Sequence, residues 1–349
     1  MVVGRLADAA VHLAESGKVP DPLLRLAIRG MCAQRLAHDV PTDPAQAATR
    51  ITAFLDAMRT EPVAVLPALA NAQHYEVPAA LFEQVLGPHL KYSCGYWSAS
   101  TTTLADAEAQ ALALTCEHAA LRDGQTILEL GCGWGSLTLW MAEHYPRSQI
   151  TAVSNSASQR AFIEARAEAR GLRNIEIITA DVGTLELDEA YDRIVSIEMF
   201  EHMRNWPRLL ARVAQWLAPG GQVLIHVFCH RSVPYTYETE GSDNWMGRNF
   251  FSGGIMPSDD LMLRSTEALV VRQQWRWPGT HYQRTANAWL ANLDRRRSRI
   301  EPILGQTHGS ESAALWTVRW RLFFMACAEL FGYRGGREWW VSHYRLHHR

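Results

Sequence analysis

The run TILELGCGWGSL at residues 126–137 constrains this chain more than any other stretch. A short apolar segment passes directly into Gly131, Gly133 and Gly135, spaced G-x-G-x-G, and then into a helix-forming sequence. Glycines at a strand-to-helix turn let the backbone take conformations other residues avoid and come close to a ligand. The run is one unit of a longer alternation. TILEL (126–130), QITAVS (149–154), NIEIITA (174–180), YDRIVSIE (191–198) and GQVLIHVF (221–228) read as strands, separated by amphipathic stretches that include helices over 156–170 and 206–217. Such alternation predicts an α/β fold with a parallel sheet covered on both faces. In the expected strand order 3-2-1-4-5, strands one and four are neighbours at the switch point where ligands bind.

The remaining chain frames this core. Residues 1 to about 70 carry alanine, leucine and charges at helical spacing, broken at Pro20, Pro22, Pro41 and Pro44, and predict a few short helices. Beyond residue 230 the pattern loosens into a Pro/Gly-punctuated segment, then a long helix near 311–331 and a final strand in EWWVSHYRL. This divides the chain into a helical cap (1–75), a ligand-binding core (76–230) and a part that adds pocket helices and the last strands (231–349). A length of 349 residues with 48% hydrophobic residues supports a large core. The formal net charge of -2 provides no general basic field for nucleic acid or an anionic membrane. Six scattered cysteines without a C-x-x-C pair argue against a zinc site or disulfide framework and fit a reducing compartment. With no signal-peptide pattern at the N-terminus and no apolar run of spanning length, a cytoplasmic protein without stable membrane insertion is expected.

The chemistry gathers at the carboxyl ends of the strands. The glycine spacing differs from the dinucleotide pattern G-x-G-x-x-G, and the ribose-holding acid expected about 20 residues later is replaced by Ser154-Asn155-Ser156. A nicotinamide enzyme is therefore disfavoured. Asp181, ending the third strand, is placed to reach an adenine amino group. After the fourth strand come Glu198, Glu201 and His202, which share a crevice with the glycine loop in the expected strand order. Carboxylates there suit an ammonium substrate, and a histidine with an ordinary pKa of about 6.5 suits the proton that must leave before nitrogen can attack.

LELGCGWGSL, KYSCGYW, SIEMFEHM, ELFGY and EWWVSHY together resemble the cyclopropane-fatty-acid synthase superfamily of methyltransferases, and within it the plant coclaurine-type N-methyltransferases. The resemblance covers most of the chain. It implies a Rossmann-like class I fold dependent on S-adenosylmethionine (SAM), with a helical N-terminal extension, helical insertions in the C-terminal part and no metal. It implies that Tyr92, Ser93, Gly131, Gly133 and Gly135 contact the donor, that Asn155 and Gln159 replace the ribose acid, and that Asp181 and Val182 flank the adenine. Trp320 and Phe323 would line a pocket for a flat aromatic amine, within a helical aromatic stripe that also reads as plain core.

The same superfamily offers a rival: methylene transfer to an unsaturated acyl chain with bound bicarbonate as base. Cys94, Glu201, His226 and Tyr282 match the bicarbonate-holding positions by this resemblance, and Cys327 also fits the synthase pattern. Glu198 stands where synthases usually carry a small residue, which favours the amine. A SAM-binding protein without catalysis is the third reading, and the oligomeric state, including a homodimer, stays open.

Overall fold

The computed structural model describes residues 2–64, 77–239 and 244–349. Its centre is a seven-stranded sheet of order β3-β2-β1-β4-β5-β9-β8. The strands are β1 (Thr126–Leu130), β2 (Gln149–Ser154), β3 (Ile175–Thr179), β4 (Tyr191–Ile197), β5 (Leu217–His230), β8 (Leu269–Trp277) and β9 (Trp339–His348). β1 to β5 are parallel, whereas β9 runs antiparallel to both β5 and β8. Two short strands, β6 (Tyr235–Thr236) and β7 (Ile255–Met256), pair separately. The strand order 3-2-1-4-5 is the one expected of a Rossmann-like fold, extended here by the antiparallel β9 and β8.

Local sequence explains the boundaries. The helix Trp206–Trp216 starts at Asn205, whose Oδ1 accepts from the Arg208 amide at 3.0 Å, with Pro207 in its first turn. Asn205 also donates to the Arg59 and Glu61 carbonyls at 3.1 and 2.8 Å, tying the N-terminal helix Pro44–Thr60 to the loop after β4. β5 begins earlier than Gly221 because the Pro219-Gly220 turn is absorbed as an irregularity: Tyr191 pairs with Leu217, then Arg193 with Gln222.

The segment after residue 230 holds more than its sequence discloses. β8 and the helices Thr280–Arg295 and Arg297–His308 lie in the stretch that reads as loosely punctuated. β8 is an edge strand whose Arg272, Gln273, Gln274 and Arg276 hide the apolar alternation expected of a strand. The helix Ala313–Gly332 packs along Thr280–Arg295 and against the N-terminal helix Asp21–Asp39, where Arg25 pairs with Glu329 at 2.6 Å and Arg29 joins them. Glu15 links Arg319 and the Trp245 indole, both at 2.9 Å. The boundary at residues 75 and 76 falls outside the described residues. Among the described residues no helix is long and apolar enough to cross a membrane.

Candidate active site

A cavity of about 230 Å³ opens at the carboxyl ends of β1 and β4, where the strand order reverses. Gly131 and Gly133 form part of its wall. Gly133 has φ +52°, and nothing lies within 4 Å of where a Cβ would sit, so the backbone here is bare toward the cavity. Gly135 does not line the cavity. It caps the helix Ser136–His144 at φ +78°, and a Cβ there would meet Ile163 at 2.7 Å, so its role is helix packing rather than ligand contact.

Tyr92, Ser93, Asn155, Gln159, Asp181 and Val182 all line the same cavity. Gln159 is buried and accepts from Ser154 Oγ at 2.8 Å, which fixes the polar end of β2. Asp181 Oδ1 accepts from the Gly183 amide at 2.7 Å, a local turn that orients the carboxylate at the end of β3.

Glu198 forms the centre of the polar end. Its φ of +49° is left-handed, an uncommon backbone state for a residue with a side chain. Its carboxylate is held by three donors: the Cys94 amide to Oε1 at 3.0 Å, the Tyr282 hydroxyl to Oε2 at 2.7 Å, and His226 Nε2 against Oε1 at 3.1 Å. Burial raises the Glu198 pKa, opposed by the nearby Lys91 ammonium and the hydrogen bonds from Cys94 and Tyr282. Lys91 is itself buried, donating to Ser93 Oγ at 2.5 Å and to the Cys94 carbonyl at 2.8 Å. Cys94 therefore serves through its backbone. Its Sγ points to the Gly95 carbonyl at 3.3 Å, and burial pushes the thiol well above its ordinary range.

Glu201 and His202 occupy the short 3-10 turn Phe200–His202 but face different surroundings. His202 is half-buried on the cavity wall, its ring 4.5 Å from that of Phe251. Glu201 does not reach the cavity. It is 0% exposed, with Oε1 accepting from the Phe228 amide at 2.7 Å and Oε2 without a partner. Burial, and then repulsion from Glu198, raise its pKa well above the carboxylate range. The expectation that both acids face the substrate is corrected: Glu198 stands at the wall and Glu201 behind it.

The other end of the cavity is aromatic. Tyr282, Phe323 and Cys327 line it with Phe228, Tyr237, Phe251 and Phe331, and the Tyr282 and Phe331 rings stack at 4.3 Å. Trp320 lies elsewhere. It is 1% exposed among Phe82, Phe250, Phe323 and Phe324, a core residue one turn from the wall. Among the described residues no group of three or more His, Cys, Asp or Glu side chains is placed to hold a metal ion.

Two wall residues stand inside the quoted motifs without having been singled out. Lys91 opens KYSCGYW, and Glu129 opens the glycine turn. Glu129 accepts from Thr138 Oγ1 at 2.5 Å, and burial raises its pKa to about 7. An acid within an apolar strand, one residue before glycine, was the available signal.

The chain matches the family described as mycolic acid cyclopropane synthetase over residues 67–336, and it belongs to that family. It is 35% identical to the (S)-coclaurine N-methyltransferase of Thalictrum flavum subsp. glaucum, covering 94% of this chain and 92% of that one. It is 30% identical to the cyclopropane-fatty-acyl-phospholipid synthase of Escherichia coli (strain K12), over 78% of this chain and 67% of that protein. The crystal structure of coclaurine N-methyltransferase bound to N-methylheliamine and SAH superposes with a TM-score of 0.93 at 35% identity, covering 97% of this chain and 99% of that one. By fold and kinship the chain is a SAM-dependent methyltransferase.

Proposed function

We propose that this enzyme methylates the nitrogen of a small cyclic or aromatic, alkaloid-like amine. One observation carries the reading. Cys94, His226 and Tyr282, which the synthase resemblance implies as holders of bicarbonate, direct their donors onto the carboxylate of Glu198. The chain supplies this anion from a side chain of its own, and a buried carboxylate suits a cation better than an alkene. The similar methyltransferase that binds N-methylheliamine supports the same acceptor class.

The residues present fit SAM. Gly133 leaves room for a ligand where any side chain would intrude, and Asn155, Gln159 and Asp181 border the same space. Tyr92, Ser93, Gly131 and Val182 complete this donor side. Bound SAM supplies an electron-poor methyl group on a sulfonium. Glu198 draws the amine in as its ammonium, and in doing so stabilises the proton that must leave. His202, on the same wall, takes that proton and frees the nitrogen lone pair. Glu201, its pKa raised by burial and by the nearby Glu198, anchors the Phe228 amide behind them. The aromatic wall, Phe323 included, excludes water and favours a flat cation held in line for attack.

We divide the chain into a helical cap (1–75), a SAM-binding core (76–230) and a pocket-forming C-terminal part (231–349). We place the enzyme in the cytoplasm, where six free cysteines are at home. Its assembly, monomer or homodimer, is read by light scattering.

The test is methyl transfer from labelled SAM to cyclic and aromatic amines in one set and to unsaturated phospholipid vesicles in another. Label on the amines alone, without added bicarbonate, is expected. Label on the vesicles alone overturns the proposal in favour of the synthase chemistry. SAM binding with no transfer to either set points to a binding protein.

A further inference from the structure

Behind Glu198, on the side away from the cavity, three buried histidines stand in a row that the proposed chemistry leaves unused. His226 of β5 is the register partner of His343 of β9, and His343 is the partner of Trp275 of β8. The three side chains therefore share one face of the sheet. His118, the last residue of the helix Leu104–His118, lies over them, stacked on Trp275 at 4.0 Å. Its Nδ1 pairs with His343 Nδ1 at 2.9 Å. The rings of His343 and His226 are 4.5 Å apart, and His226 Nε2 meets Glu198 Oε1 at 3.1 Å.

The unsatisfied atoms fall where such a chain needs them. His226 Nδ1 and His343 Nε2 are buried and have no hydrogen-bond partner, and they belong to neighbouring rings. This is the one link of the column that is not a hydrogen bond. Rotation of either ring, or a single water, closes it. Trp277 packs against His226, His343 and His118 and covers one side of the column. The charges facing it are Glu198 and Lys91 at the inner end and Arg345 at the outer end. His226 and His343 are fully enclosed, while His118 keeps 7% of its surface exposed.

We propose that His226, His343 and His118 form a proton relay connecting Glu198 with solvent at the C-terminal end of the helix Leu104–His118. A neutral imidazole binds a proton on one nitrogen and releases one from the other. When the proton released by the ammonium passes on from His202 to Glu198, outward passage breaks the O–H bond so formed, forms and breaks one N–H bond on each ring in turn, and ends with a proton in water at His118. Inward passage reverses every step. No ring is left charged, nothing is oxidised, and Glu198 can lose or regain a proton while donor and acceptor fill the cavity. Burial lowers the pKa of all three rings, that of His118 to about 4, which keeps them in the neutral form such a relay uses.

The relay rests on the methyl transfer proposed above, and two measurements separate them. In full-length protein labelled with nitrogen-15 histidine, NMR is expected to find three neutral rings with aligned tautomers. The protons lie on His226 Nε2, His343 Nε2 and His118 Nδ1, or on the opposite nitrogen of every ring. A charged ring, or two adjacent rings whose tautomers oppose, overturns the relay whether or not any substrate is known. In turnover with tetrahydroisoquinoline, His118→Phe keeps the stack on Trp275 and cuts the outer end. Its kcat is expected to fall about a hundredfold, the lower end of positioned proton transfer, with both KM values unchanged and added imidazole restoring the rate of His118→Ala. His118→Gln replaces His118→Phe if the latter does not fold. Wild-type kcat in the folded variant overturns the relay. Wild-type protein that does not methylate the amine overturns only the proposed acceptor, and the tautomers then decide the relay alone.

Discussion

Replacing Glu198 with glutamine removes one charge from the site with little change of shape. The carboxylate receives the Cys94 amide, the Tyr282 hydroxyl and His226. An amide at this position offers one oxygen and one NH2 group, so one of these donors faces another donor, at a cost of about 1 kcal/mol. Relief from burying an ionised acid offsets much of that, and Glu198→Gln should fold. The effect on the substrate is larger. An ammonium about 4 Å from a carboxylate, at an effective dielectric constant of about 20, gains roughly 4 kcal/mol. Losing it should lower kcat/KM for the amine by about a thousandfold. The assay follows initial rates against amine concentration, with SAM affinity measured by calorimetry, and the affinity should hold because Glu198 belongs to the acceptor side. A folded Glu198→Gln enzyme within about tenfold of wild-type kcat/KM would refute the assignment of Glu198 as the cation's partner. So would an equal loss in SAM affinity.

Four further outcomes follow from the same geometry. Glu198→Gly suits the left-handed backbone at φ +49° and empties the space ringed by Cys94, His226 and Tyr282; bicarbonate should raise its residual methyl transfer while leaving wild type unaffected, and no bicarbonate response sinks the idea of a substituted anion. Gly133→Ala should weaken SAM binding by at least about tenfold at a stability cost of about 1–2 kcal/mol from its left-handed backbone, whereas Gly135→Ala, which adds to the same backbone strain a Cβ 2.7 Å from Ile163, should cost roughly 1–3 kcal/mol more in stability without a specific loss of SAM affinity; the reverse pattern contradicts the placement of the two glycines. Burial holds Glu129 at about 7 instead of 4.5, so its protonated form is favoured by folding; that stability is full below pH 4.5 and lost as pH rises through about 7, about 3 kcal/mol in all, and a Glu129→Gln protein with an unchanged Tm decline over this range counts against it. Trp320→Ala should cost about 3–5 kcal/mol in stability, while Phe323→Ala should change the amine KM, and equal KM changes in both would return Trp320 to the pocket wall.

The parallel half of the sheet was legible because each strand carries its own signal. β1 and β2 match their sequence bounds, and β3 and β4 differ only at their ends. The edge strand β8 was not legible, since a strand with one neighbour and a half-exposed face needs no continuous apolar run. The donor side was readable for a related reason: Gly133, Asn155, Gln159 and Asp181 follow directly from strand ends, so chain order predicts their meeting. What the sequence could not disclose is depth. Glu198 and Glu201 are three residues apart, yet one reaches the cavity and the other lies wholly behind it, because the left-handed turn at Glu198 redirects the chain between them. Trp320 and Phe323, also three apart, divide in the same way between core and wall on one helix.

Depth also decides the charge balance on which the chemistry depends. Lys91 and Glu198 stand at the cavity wall and Glu201 lies buried behind them. Two ionised acids so placed would repel strongly, and the lysine favours the ionised form of Glu198. Glu201, deeper and repelled by Glu198, takes up the proton instead. Burial lowers the Lys91 pKa as it raises that of Glu198, and each charge favours the other. Each cation brought into the cavity must share that carboxylate with Lys91, so the attraction that admits a protonated amine is blunted once the amine is inside. A lone buried carboxylate would hold the ammonium proton too firmly for nitrogen to attack. On the proposed chemistry Lys91, unremarkable in the sequence beside Tyr92 and Ser93, would keep Glu198 attractive enough to bind and weak enough to let the proton go.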